Sequence, residues 1–181
     1  TDMIYLDNAA TTLYKPRAVE QAVRRAMYGA AGYARGGYAA ASRAGELVYA
    51  CREQAAALFG VGEPERVIFT LNATHALNIA INALVKPDSR VIVSGYEHNA
   101  VMRPLTARNI EPTVLDTPLW DGAAMVSALK QALEHGANLM ILSHVSNVFG
   151  SIAPLDEIAE LLTAAGVPLI LDASQSAGVA E

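Results

Sequence analysis

From residue 66 onward the sequence alternates between short apolar segments, typical of β-strands, and longer amphipathic segments, typical of α-helices. Such alternation indicates βαβ units and a mainly parallel sheet with helices on both faces, so we predict an α/β fold. The predicted strands are 67–70, 90–94, 113–115, 139–143 and 168–171, and the predicted helices between them are 74–84, 100–108, 123–134 and 155–165.

The first 65 residues differ from the rest. Apolar residues at helical spacing predict helices at 16–30 and 41–59, and the glycines of residues 29–38 predict an irregular loop between them. We therefore divide the chain into a helical segment with a glycine-rich loop, residues 1–65, and an α/β domain, residues 66–181.

Composition narrows the classes of protein to which this chain can belong. Apolar residues make up 52% of the 181 residues and charged residues 17%, which favours a globular domain. The net charge of −5, with no dense run of Lys or Arg, argues against nucleic acid as a partner. No apolar run is long enough to cross a membrane and no signal-peptide pattern is present, so we expect a cytoplasmic protein. The spacing of the four histidines predicts no metal site.

Polar residues follow the predicted strands at the edge where open α/β sheets bind ligands. Thr74 begins a helix whose free N–H groups would bind an anion such as phosphate, although helix capping by Asn72 or Thr74 is, taken alone, the better explanation. His98 follows the next strand, and its flat ring would stack on an aromatic ligand. A histidine hydrogen-bonded to a loop carbonyl is the alternative.

Two later strands end in further polar residues. Asn147 would donate to a phenolate or carboxylate oxygen, or would simply be a turn residue before Gly150. Asp172, with Gln175 nearby, would keep a pyridine nitrogen protonated, or would bind a metal or cap a turn. One ligand could use all of these strand ends, which together predict a site for pyridoxal phosphate (PLP).

The same residues resemble the class V, fold-type I PLP enzymes, and in particular the cysteine desulfurase and selenocysteine lyase group. The tyrosine at position 38 stands where a histidine is common in one desulfurase-like subgroup. The motifs that carry the resemblance are YLDNAATT at 5–12, FTLNATHALN at 69–78, EHN at 97–99, HVSNVFG at 144–150 and DASQSAG at 172–178.

This resemblance implies a role for each matching residue. Cysteine or selenocysteine would be the substrate, and cysteine would be converted to alanine with its sulfur left as a persulfide. A sulfur-acceptor protein would be a further partner. The implied roles are phosphate binding by the Ala73 backbone and Thr74, ring stacking and acid–base work by His98, pairing of Asp172 with the pyridine nitrogen, contact of Asn147 and Gln175 with the phenolic oxygen, and contact of Asn8, Ala9 and Ala10 with the substrate.

Two residues that the reaction needs, a cofactor-anchoring lysine and a catalytic cysteine, are not identifiable. Lys15 and Lys86 each precede a proline, Lys130 lies inside a predicted helix, and Cys51 has the setting of a core or boundary residue. We therefore expect the amino-terminal half of such an enzyme, inactive alone.

In the family the strand at 67–70 pairs with later strands. The resemblance therefore implies that this strand lacks neighbours here and that the strand ending at Leu171 is an open edge, which favours a homodimer or association with the complementary half. A class V aminotransferase, another PLP lyase, and a non-catalytic interaction module remain alternatives.

Overall fold

The computed structural model describes residues 3–179, which form two compact units that divide between Phe69 and Thr70. The division predicted between residues 65 and 66 lies four residues from this boundary, and whether the units are functional domains stays a prediction. None of the helices described is both long and apolar enough to cross a membrane.

The first unit contains the two predicted helices, α1 (Arg17–Gly29) and α2 (Ala39–Leu58), followed by a short 3₁₀ helix. Arg43 on α2 donates from Nε to the Gly29 carbonyl at 2.6 Å and so ties α2 to the end of α1. Cys51 is exposed on α2, so its predicted core or boundary position is wrong.

The second unit is a four-stranded, wholly parallel sheet in the order β2-β1-β3-β4, and the predicted α/β class is confirmed. For the strands and helices that form in this unit, several predicted boundaries agree with the structure to the residue, and the others differ by one. The strands are β1 (Val91–Ser94), β2 (Thr113–Leu115), β3 (Leu139–Ser143) and β4 (Leu169–Asp172), and the helices are α3 (Ala73–Leu84), α4 (Asn99–Ala107), α5 (Gly122–Glu134) and α6 (Leu155–Ala165).

Alternate residues of the central strands enter two separate cores, as the two-residue period of a β-strand requires. Val91 and Val93 of β1 pack with α3 and α4 on one face of the sheet. Ile92 of β1 and Met140 of β3 pack with α5 and α6 on the other. Because both faces are covered, only the edges and ends of this sheet can receive a ligand.

Residues 67–70 do not form the predicted first strand. They have no ladder pairing among the described residues, and Ile68 and Phe69 are 68% and 52% exposed. An apolar segment becomes a strand only when a neighbouring strand accepts and donates its backbone hydrogen bonds, and the sheet described provides none. The prediction that this segment lacks neighbours is confirmed, as is the edge position of β4.

Candidate cofactor site

The second unit has a cavity of about 130 Å³ at the carboxyl edge of the sheet, beside the first turn of α3. The structure brings together here all six residues that the sequence predicts to hold a cofactor. They are Ala73, Thr74, His98, Asn147, Asp172 and Gln175. The roles assigned to them stay predictions.

The first turn of α3 forms the wall of the cavity that would receive an anion. Asn72 is the N-cap residue, and its side chain accepts from the His75 N–H at 2.9 Å. Capping therefore falls to Asn72, and within the described residues the Ala73 and Thr74 N–H groups and the Thr74 hydroxyl have no protein partner. Donors at the positive end of a helix, open to a cavity, suit a phosphate group.

His98 is held in one orientation by the helix that it begins. It is the N-cap residue of α4, and its Nδ1 accepts from the Ala100 N–H at 3.0 Å. The partner is an N–H group, so the alternative of a loop carbonyl is wrong. Because a ring nitrogen that accepts a hydrogen bond carries no proton, the neutral ring has its proton on Nε2.

Asn147 lies in a tight turn after β3. The turn is closed by the Gly150 N–H, which donates to the Ser146 carbonyl at 2.9 Å, and Gly150 adopts the left-handed conformation with φ of 67°. The turn-residue alternative therefore describes the backbone here correctly. Asn147 nevertheless lines the cavity, and its donation to a ligand oxygen stays a prediction.

Asp172, the last residue of β4, has one carboxylate oxygen engaged and one available. Ser174 donates to Oδ1 from its N–H at 3.0 Å and from its hydroxyl, whereas Oδ2 takes no hydrogen bond from the described residues. The loop after β4 is tied to the end of β3, because the His144 N–H donates to the Asp172 carbonyl at 3.0 Å and His144 Nδ1 lies 2.9 Å from the Ser176 hydroxyl.

Glu97 was quoted in the sequence motif without a role, and the structure shows it to be unusual. Its carboxylate joins the ends of β1 and β3 by accepting from Ser94 and Ser143. Burial raises the pKa of the Glu97 carboxyl above its ordinary value, and the hydrogen bonds from Ser94 and Ser143 oppose that shift. No ion pair to this residue exists among the residues described. The only signal of this role in the sequence was an acidic residue in the loop directly after β1.

The predicted substrate residues Asn8, Ala9 and Ala10 lie in the first unit, in an exposed turn. The Tyr5 hydroxyl donates to the carbonyls of Asp7 and Thr11, at 3.0 and 2.8 Å, and braces this turn. In the part of the chain that the structure describes, no lysine lines the cavity and no three or more His, Cys, Asp or Glu residues are grouped as metal ligands.

The chain is thus an α/β protein with a cavity at the carboxyl edge of a helix-covered parallel sheet, which is where open α/β sheets generally bind their ligands. The family model of Aminotransferase class-V matches residues 4–181, and the chain belongs to this family of PLP-dependent enzymes.

Relatives and solved structures agree with that assignment. The chain is 35% identical over 184 residues to the cysteine desulfurase IscS of Shewanella loihica, and the match covers 97% of this chain and 45% of that protein. The structure is similar to the cysteine desulfurase of Thermococcus onnurineus, with a TM-score of 0.85, 26% identity and coverage of 97% and 45%. It is also similar to DndA of Streptomyces lividans, with a TM-score of 0.74 and 33% identity, and this match covers 96% of this chain and 50% of that one. The chain thus spans about half the length of the relatives that it matches.

Proposed function

We propose that the cavity of the second unit binds PLP and that the chain serves a cysteine desulfurase-like reaction. The observation that supports this proposal is the convergence of six predicted residues on one cavity. They come from four separate sequence motifs, and a chance grouping would not combine open helix N–H groups, an oriented imidazole and a carboxylate with a free oxygen.

The groups that line the cavity match the parts of PLP. The Ala73 and Thr74 N–H groups and the Thr74 hydroxyl would hold the phosphate, and the free Oδ2 of Asp172 would accept from the protonated ring nitrogen. The His98 ring, fixed by its own helix, would lie flat against the cofactor. Asn147 and Gln175 would donate to the phenolic oxygen. When bound, PLP supplies an electron sink for the substrate, and Asp172 favours that chemistry by keeping the ring nitrogen charged.

The substrate and partners are proposed from the relatives. Several of these are named as cysteine desulfurases, which supports cysteine, or selenocysteine, as the substrate of the whole enzyme and a sulfur-acceptor protein as its partner. The contribution of Asn8, Ala9 and Ala10 to the substrate site is part of this proposal. Because the described lining of the cavity has no lysine, we expect no desulfurase activity from this chain alone. The cytoplasmic location stays a prediction.

A spectroscopic titration tests the proposed cofactor. PLP is added to the 181-residue chain, and its absorbance and induced circular dichroism are followed to obtain Kd. Asp172→Asn keeps an oxygen for the Ser174 hydrogen bonds but removes the charge, so Kd should rise about tenfold or more. Asp116→Asn, at an exposed position after β2, is the matched control and should leave Kd unchanged.

Two results would contradict the proposal. If the cofactor spectrum does not change on adding the unaltered chain, the cavity does not bind PLP. If both substitutions give the Kd of the unaltered chain, PLP binds without using Asp172.

A further inference from the structure

The loop after β1, residues 95–98, carries His98 to the cavity, and it is fixed on both flanks. Toward β2, the Gly95 N–H donates to the Leu115 carbonyl at 3.2 Å, and the Tyr96 hydroxyl donates to the Thr117 carbonyl. Toward β3, the Glu97 side chain makes the loop's hydrogen bonds to the strand among the described residues, and the Tyr96 ring meets the edge of Phe149 in the following turn, with 5.9 Å between the ring centroids. Among the described residues, the hydrogen bonding of the loop to β3 therefore depends on one carboxyl group.

Three donors converge on that carboxyl group. Glu97 Oε1 accepts from the Ser94 hydroxyl at 2.5 Å and from the Ser143 N–H at 3.0 Å, and Oε2 accepts from the Ser143 hydroxyl at 2.8 Å. The Tyr96 N–H donates to the Ser94 oxygen at 3.2 Å, so the Ser94 proton is directed at Glu97. A buried acceptor with every donor oriented fixes its position more strictly than an exposed ion pair does.

The contact also reaches the cavity itself. Ser143 ends β3 and lines the cavity, and Glu97 is bonded through the backbone to His98, which lines the same cavity. Loss of the carboxyl group would leave the Ser143 N–H without an acceptor and would free the His98 backbone from β3. Such a loss is costly in a buried site because a donor stays unpaired.

We propose that Glu97 is a positioning residue, which sets the place of the His98 ring over the cavity by bridging the ends of β1 and β3 through Ser94 and Ser143. The effect on cofactor binding rests on the proposed function, whereas the effect on the His98 ring does not. Glutamine can make the same bridge, because its oxygen accepts as Oε1 does and its amide donates to the Ser143 oxygen.

The test compares Glu97→Gln with Glu97→Ala in the 181-residue chain, with Glu160→Ala, exposed on α6, as the control. The ¹⁵N signals of the His98 ring are recorded without cofactor and assigned by their loss in His98→Gln. PLP affinity is then measured by absorbance. We expect the alanine variant to shift the His98 signals and to raise Kd about tenfold, and the glutamine variant and the control to stay within about twofold.

Each other outcome has a defined meaning. Unchanged His98 signals in Glu97→Ala, or a glutamine variant as impaired as the alanine variant, would overturn the proposal. If Glu97→Ala does not fold, as thermal unfolding would show, Ser94→Ala and Ser143→Ala each remove one donor, and unchanged His98 signals in both would overturn it. If the unaltered chain binds no PLP, the proposed function fails, and the ring signals of the free chain still decide this inference.

Discussion

At the scale of single residues, a polar side chain at the start of a helix can cap the helix and also shape a binding site. Asn72 accepts the His75 N–H and thereby leaves the Ala73 and Thr74 N–H groups open to the cavity. His98 caps α4 with one ring nitrogen and keeps the proton on the other. The sequence made capping and ligand binding look like competing explanations, whereas neighbouring positions share the two tasks.

Removing the cap of α3 should lower stability by a measurable amount. We expect Asn72→Ala to decrease the free energy of unfolding by about 1 kcal/mol, since the His75 N–H loses its acceptor. The thermal midpoint should fall by about 2–4 °C. Calorimetry measures the change, and Asn72→Ser, which retains an acceptor, should stay close to the unaltered chain. Equal midpoints for all three chains would show that the cap contributes nothing.

The buried Glu97 should give stability a distinctive pH dependence. Because burial raises the pKa of this carboxyl in the folded chain, the neutral acid favours the folded state below the ordinary glutamate pKa. That contribution is lost as the pH rises through the raised pKa. Urea unfolding of the unaltered chain and of Glu97→Gln, from about pH 4 to about pH 8, should show their difference in unfolding free energy changing in this direction. A difference that is constant with pH would contradict the prediction.

At the scale of elements, the local sequence pattern was sufficient to predict a strand or helix where the described sheet itself supplies that segment's neighbours. The predicted bounds of β2, β3 and α6 agree with the structure because the apolar pattern of each element ends where turn residues begin. The segment 67–70 has the same composition but no partner strand, so its apolar pattern could not decide its structure. Sequence patterns report the faces of an element but not whether its edges are paired.

The candidate site could be predicted in part for the same reason. Strand ends share one edge of a parallel sheet, so the convergence of Thr74, His98 and Asp172 follows from topology. The role of Glu97 could not be found in this way. Its importance comes from contacts with Ser94 and Ser143, and Ser143 lies 46 positions later in the chain. Such pairings depend on strand order, which no local pattern encodes.

The link between the loop after β4 and the end of β3 can be measured directly. His144 Nδ1 and the buried Ser176 hydroxyl form one hydrogen bond at 2.9 Å. A double-mutant cycle of His144→Ala and Ser176→Ala, followed by urea unfolding, should give a coupling energy of about 1 kcal/mol. Additive effects of the two substitutions would mean that the contact does not stabilise the loop.

At the scale of the whole molecule, the outer edge of β4 should control association. The Pro168 and Asp172 carbonyls face β3, so Leu169 and Leu171 direct their backbone groups away from it. Within the described residues these groups have no strand partner. An unpaired edge favours pairing with a second chain, as the expected homodimer or complex requires.

Sedimentation and hydrogen exchange together test this association. The average mass should rise with protein concentration, and the Leu169 and Leu171 amides should become more protected from exchange in parallel. The Ile141 amide, inside β3, is the internal control and should not change. A monomer at every concentration, or association without protection of β4, would contradict the prediction.

All the residues that line the cavity fall between positions 73 and 175, inside a single compact unit that starts at Thr70. A chimera made with a relative and joined at that boundary would therefore inherit the whole lining from one parent. Recombination there would exchange the first unit, which carries the predicted substrate residues Asn8, Ala9 and Ala10, while leaving the chemistry of the pocket intact.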